Sequence, residues 1–167
     1  MIMDTFSGLA FSFEPPLLET MQENPKSLKE PIINKYMYSE ILITGLYSAL
    51  LCVIFLKSNV VRSIVRVGTK YEYLMTAYFA LFIFIGIFNA FNARTERKNI
   101  LANIMKNKIF LLMFSFIAIV QIYLIYNGGN LFRTYGLTLK ELLFVLILAF
   151  SVIPIDILRK HFIKKLD

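Results

Sequence analysis

Residues 74–93 read LMTAYFALFIFIGIFNAFNA, an unbroken run without a charged side chain. The hydrocarbon core of a bilayer is about 30 Å thick and takes roughly 20 apolar residues in a helix to cross. The stretch is apolar on every side and lacks the strict alternation of a barrel strand, so it reads as a transmembrane helix. Three further stretches fit the same template. Tyr38–Leu56 has Glu40 as its only charge, and Ile109–Tyr126 has none. Leu137–Leu158 carries Lys140 and Glu141 at one end and Asp156 at the other. Its uncharged centre, Leu142–Ile155, is shorter than a full span and contains Pro154. Proline has no N–H, so a kink is expected in the last turns. The expected fold class is therefore all-α, an integral membrane helical bundle. Its membrane domain, 38–158, holds four transmembrane helices at about 38–56, 74–93, 109–126 and 137–158.

Composition removes the other classes. Of 167 residues, 57% are apolar and 17% charged, against about half and a quarter in soluble domains. Mean hydropathy is +0.65. Disorder needs low hydrophobicity and is excluded. Cys52 is the only cysteine, so no intrachain disulfide is possible, and with His161 as the only histidine a structural zinc site lacks ligands. Cys52 lies mid-span and reads as a small packing residue, while His161 reads as a solvated tail residue. A secretory signal peptide is not expected, because Asp4 and Glu14 precede the first basic residue, Lys26.

Segment 1–13 is mostly apolar, with Asp4 its only charge, and stops at Glu14-Pro15-Pro16. As a helix it reaches about 20 Å, too short to cross. A charge at mid-membrane costs about 2.5–3.5 kcal/mol on insertion scales. Two readings stay open: the rear half of a truncated transmembrane helix, or an amphipathic helix on the membrane surface. Segment 14–37 is then a loop and 159–167 a basic tail.

Basic residues set an expected orientation. The segments 14–37, 92–108 and the C-terminal tail hold 12 of the 18 lysines and arginines, and the opposite segments hold 6. The positive-inside rule puts the first group, and so the C-terminus, in the cytoplasm of a multi-pass protein of the cell membrane. The net charge of +7 then reflects membrane ends and contact with anionic lipid; no nucleic-acid motif accompanies it, and membrane lipid is the expected partner.

Catalytic patterns are scarce. No phosphate-binding glycine loop of the Walker type and no Ser–His–Asp set occurs, so no catalytic or cofactor-binding residue is expected. Gly128-Gly129 reads as a tight turn. Among intramembrane polar residues, Asp4 stands out: a carboxylate beside Thr5, Ser7 and Gly8 can offer oxygen to a hard cation. Asn89 and Asn92, three apart on one helix face, are expected to bond between helices or cap one.

Ile2-Met3-Asp4-Thr5-Phe6, followed by Glu14-Pro15-Pro16, resembles the sixth transmembrane helix of P-type calcium-transporting ATPases. Lys29-Glu30-Pro31-Ile32-Ile33 resembles the loop after it, and Phe88-Asn89-Ala90-Phe91-Asn92-Ala93-Arg94 the end of their eighth helix. The lysine-rich 103–109 stretch and Gly128-Gly129 also fit, and bacterial pumps of the plasma-membrane type are the most similar. By this resemblance the four spans are helices seven to ten, and 1–13 is what remains of helix six. The resemblance implies Asp4 as a calcium ligand, effective only with helices that are missing. It also implies calcium and Mg-ATP for the complete pump, with no cofactor in this chain. The phosphorylated aspartate of Asp-Lys-Thr-Gly-Thr and the nucleotide and actuator domains are not in the sequence. Gly86 stands where two-site pumps carry an acidic residue, which implies one calcium per cycle. A start at Met1, mid-helix, is the expected mark of a truncated gene, a split reading frame or a misplaced start.

The function expected is thus a C-terminal membrane-domain fragment that scaffolds the ion-transport helices. Alone it is expected to be catalytically inactive, its partner being the N-terminal part of such an ATPase. The alternative is a small stand-alone membrane protein that binds or regulates a transporter.

Overall fold

The structure is a computed structural model that describes residues 2–15, 33, 35–95, 100 and 104–163, with side chains for 5–15, 33, 36–95, 100 and 104–162. Met1, most of the loop after Glu14, Arg97, Lys98, Lys164, Lys165 and the Asp4 side chain lie outside the described residues.

The described residues form helices and no strands. In chain order these are α1 (Ile2–Ser12), α2 (Lys35–Lys57), α3 (Asn59–Ile64), α4 (Glu72–Ala93), α5 (Lys108–Asn127), α6 (Gly129–Phe132), α7 (Leu139–Phe150) and α8 (Val152–Ile163). Among the described residues four helices are long and apolar enough to cross a membrane: Tyr36–Lys57, Glu72–Ala93, Lys108–Asn127 and Leu139–Phe162, the last made of α7 and α8 together.

Local chemistry sets the boundaries. The Asn107 side chain caps α5 by accepting from the Phe110 N–H at 2.8 Å. Thr138 and Glu141 form a capping box at the start of α7. Between α7 and α8 the helix breaks at Ser151, whose N–H bonds Leu148 O at 3.2 Å in a tighter turn. The cause lies three residues on. Pro154 has no N–H for the Phe150 carbonyl, and its ring crowds that same carbonyl. Neighbouring helices bond at the break. Tyr47 Oη lies 2.6 Å from Ser151 Oγ, and Asn92 Nδ2 donates to Val152 O at 3.2 Å. Asn92 therefore bonds between helices, as its spacing led one to expect.

α4 is the central helix, packed against α2, α5, α7 and α8. Half of its apolar window is buried, against 17% for α2. Ala77 and Ala80 on α4, and Val145 and Ala149 on α7, are fully buried. Small residues allow the close backbone approach on which helix association in lipid depends. α1 lies antiparallel to the first half of α5. Phe11 meets Phe110 at 5.8 Å and Phe6 meets Phe116 at 5.7 Å between ring centroids. The bundle thus has two polar ends. One gathers the C-terminal ends of α1, α4 and α8 with the starts of α2 and α5. The other gathers the end of α2, the starts of α4 and α7, and the short helices α3 and α6.

Candidate functional site

Each polar end is held by charged groups that the membrane interior would otherwise penalise. At the first end, α8 presents Asp156, Arg159 and Lys160, all buried. Lys160 Nζ has three N–H donors, and three oxygens surround it. It donates to Asn92 O at 2.8 Å and Thr95 O at 2.6 Å, and pairs with Asp156 Oδ2 at 2.7 Å. The ammonium thus caps the C-terminal end of α4, where the helix dipole favours a cation. Arg159 turns the other way. Its Nε donates to Asp156 Oδ1 at 2.7 Å, and Nη1 donates to Tyr36 O and Ser39 Oγ at 3.2 and 3.0 Å. Nη2 donates to the Tyr36 hydroxyl at 3.1 Å and lies 3.6 Å from Glu40 Oε2. α8 therefore clasps the start of α2 to the end of α4. Two cations face two carboxylates, the balance that lets buried charge persist in a low dielectric.

This changes one reading of the sequence. Arg159 and Lys160 do not open a solvated tail: the helix runs to Ile163 and both side chains are buried. The reason is spacing. Asp156 lies three and four residues before them, on the same helix face. His161, one position further round, is exposed.

A second cluster fixes α1. Buried Arg94 pairs with Glu14 Oε1 at 2.8 Å and donates to Ile100 O at 2.8 Å. Asn107 Nδ2 donates to Glu14 Oε2 at 2.7 Å and Ala10 O at 3.2 Å. Residues 94 and 107, which sequence alone assigned to a loop, therefore anchor the N-terminal helix. Asp4 lies on α1 two residues before Phe6, about 3 Å further from this end at 1.5 Å per residue.

The opposite end is held by Arg66 and Glu141. The Glu141 carboxylate is 2% exposed and accepts from Arg66 Nε, Nη2 and backbone N–H at 2.8–2.9 Å. Arg66 also donates to Gly136 O at 2.9 Å and lies over the Tyr73 ring at 4.3 Å. Donating to the Glu141 carboxylate raises the Arg66 pKa above its ordinary value. Gly129 sits in the left-handed turn beyond, at φ +48°, in agreement with the turn read at Gly128-Gly129.

Between α2 and α4, beside the α8 clasp, runs an open groove of about 630 Å³ lined by Tyr36, Met37, Glu40, Ile41, Thr44, Gly45, Asn89 and Ala93. Thr44 Oγ1 donates to Glu40 O at 2.5 Å. Asn89 Oδ1 is buried and has no hydrogen-bond partner among the described residues. A Cβ added at Gly45 would meet nothing within 4 Å. Met37 and Ile41 in the groove are exposed, as are Leu42, Leu46 and Val53 elsewhere on α2. A small residue, an open acceptor and an apolar rim suit a further membrane helix better than a soluble substrate. Cys52 is half-buried against the core. Among the described residues no three of His, Cys, Asp and Glu lie together to hold a metal ion. What the geometry offers is rigid polar ends and an unfilled helix-facing groove.

Comparison with known proteins agrees in kind. The family model described as cation transporting ATPase, C-terminus, matches residues 1–162. The chain is 30% identical over 162 residues to plasma membrane calcium-transporting ATPase mca-1 of Caenorhabditis elegans, covering 92% of the chain and 13% of that protein. It is 31% identical over 151 residues to calcium-transporting ATPase 8, plasma membrane-type, of Arabidopsis thaliana, covering 84% and 14%. It is 28% identical over 157 residues to human plasma membrane calcium-transporting ATPase 4, covering 89% and 13%. The chain thus spans about one seventh of the length of such relatives.

Proposed function

The chain belongs to the cation-transporting P-type ATPase family, as part of its C-terminal membrane region, and on that premise we propose that it is the membrane scaffold of a plasma-membrane-type calcium pump. In this reading the ion-carrying helices of the upstream part dock on the α2/α4 groove. Calcium is the cargo, and ATP is bound and hydrolysed by the upstream part. A bacterial source belongs to the same proposal and rests on the sequence resemblance. So does a cytoplasmic C-terminus, supported by 12 of 18 basic residues on that side.

The observation that carries the reading is the groove itself. α2 is the least buried of the four spans, and at Gly45 it leaves open space in a groove also lined by Asn89, whose buried Oδ1 has no partner among the described residues. Glycine inside a helix costs roughly 0.5–1 kcal/mol relative to alanine, and nothing among the described residues needs it at position 45. An upstream helix packed against the glycine gives the missing reason. Asp4 would then offer a carboxylate to the ion path from α1, about 15 Å from the bundle end by its register with α5. One carboxylate falls well short of the roughly 6–8 oxygens that calcium takes. The remainder must come from upstream helices.

Gly45→Leu tests docking. The chain is co-expressed with a tagged upstream part of the pump and recovered through the tag. Wild-type chain should co-purify, and the leucine variant should fall at least ten-fold in recovery with its own melting temperature unchanged. Equal recovery of the two would remove the groove from the account.

A further inference from the structure

A second cavity, of about 480 Å³, opens at the opposite end of the bundle, where α4 begins and the chain leaves α6. Lys70, Glu72, Met75, Asn130, Arg133 and Tyr135 line it. Among the described residues neither the Lys70 ammonium nor the Arg133 guanidinium has an ion-pair or hydrogen-bond partner, unlike Arg66, Arg94, Arg159 and Lys160. The Glu72 carboxylate is turned toward the loop before α4, accepting from the Lys70 backbone N–H at 2.6 Å and the Thr69 hydroxyl at 3.4 Å. The cavity therefore carries one net positive charge. Arg133 holds a left-handed backbone at φ +51°, a conformation that costs a non-glycine residue of order 1 kcal/mol or more.

Height and surroundings point to the occupant. The cavity is level with the first turn of a membrane span, where headgroups lie. Met75 in its lining is exposed, and beside it on α6 Leu131 is 86% exposed and Phe132 is exposed too. An aqueous surface gives such a group no partner, whereas acyl chains do. We propose that this cavity binds the phosphodiester headgroup of an anionic phospholipid, with Lys70 and Arg133 on the phosphate, the Asn130 and Tyr135 side chains beside its glycerol, and Leu131 and Met75 against the acyl chains. A monoanionic phosphodiester neutralises the single net charge. A zwitterionic lipid carries its own cation and leaves that charge uncompensated. The inference stands on the membrane spans alone and is independent of any role in a pump.

The chain contains no tryptophan, so Leu131→Trp supplies a single fluorescent reporter in the full chain. Two sets of vesicles are prepared, each an equal mixture of phosphatidylglycerol and phosphatidylcholine, with bromine on one lipid or the other. Quenching should show preference for phosphatidylglycerol by about five-fold, the factor for one net charge near a membrane surface. The preference should vanish in Lys70→Gln/Arg133→Gln. Arg133→Gly is the control for folding: it suits the left-handed backbone, so it should hold or raise the melting temperature while reducing the preference. Equal quenching by both lipids overturns the proposal. So does a preference that survives both variants, which would mean diffuse charge. Displacement by millimolar glycerol phosphate at fixed ionic strength would assign the cavity to free phosphate and also overturn it.

Discussion

Asp156→Asn is the sharpest test of the clasp at the end of α8. Asp156 is fully buried, and its two oxygens hold Arg159 and Lys160 at 2.7 Å each. Asparagine keeps the shape and removes the charge. Lys160 would retain the Asn92 and Thr95 carbonyls, and Arg159 would retain Glu40 at 3.6 Å and the Tyr36 and Ser39 oxygens. Those partners soften the loss without balancing two buried cations. Removing one member of a buried pair costs about 3–5 kcal/mol, and each 1.4 kcal/mol is about ten-fold in an equilibrium constant. The ratio of folded to unfolded chain should therefore fall by a factor between about a hundred and a few thousand. Unfolding of the reconstituted chain in mixed micelles of rising SDS fraction, followed by circular dichroism, reads the change. Lys160→Met should restore part of the loss in the double variant, because a neutral pair leaves less charge unmatched. A cost below about 1 kcal/mol, the value of an exposed pair, would mean that Asp156 does not hold two buried cations. So would strict additivity of the two substitutions.

Other consequences are accessible to the same assay or to simple fusions. Asn107→Ala removes the α5 cap and both ties to α1. It should cost about 1–2 kcal/mol and make the peptide bond after Phe13 more sensitive to protease. Gly128→Ala would drive a Cβ against Thr134 Oγ1 and Leu124 O, which now share a 2.6 Å hydrogen bond; a loss of about 1–3 kcal/mol is expected by thermal melting. A fluorescent protein fused after Asp167 should light inside the cell, and alkaline phosphatase inserted in the loop after α6 should be active outside it. The opposite pattern would reverse the orientation.

The spans were legible because lipid imposes a simple rule: a helix must be long, apolar and internally hydrogen-bonded. Residues 74–93 met it without ambiguity, and the break near Pro154 followed from one missing N–H. The polar ends were harder. Arg94 and Arg66 lie at the edges of spans, where a count of basic residues treats each as solvated charge, and it passes over Glu14 and Asn107 altogether. Their pairing depends on which helices meet, and hydropathy carries no information about that. Two signals were nonetheless in the sequence. Asp156 followed by Arg159 and Lys160 is an i, i+3 and i, i+4 pattern on one helix face. Thr138 followed by Glu141 is a capping box. The α2/α4 groove had no sequence signal beyond Gly45, Glu40 and Asn89, since a space between helices is a property of packing.

As proposed, the chain scaffolds a calcium pump whose ATP-driven step resides in the upstream part. Membrane vesicles containing the chain, the upstream part of the pump, or both are assayed for ATP-dependent calcium uptake. Uptake is predicted only when both are present. Calcium uptake by the chain alone, or equal uptake by the upstream part without it, would mean that the chain is not the pump's scaffold.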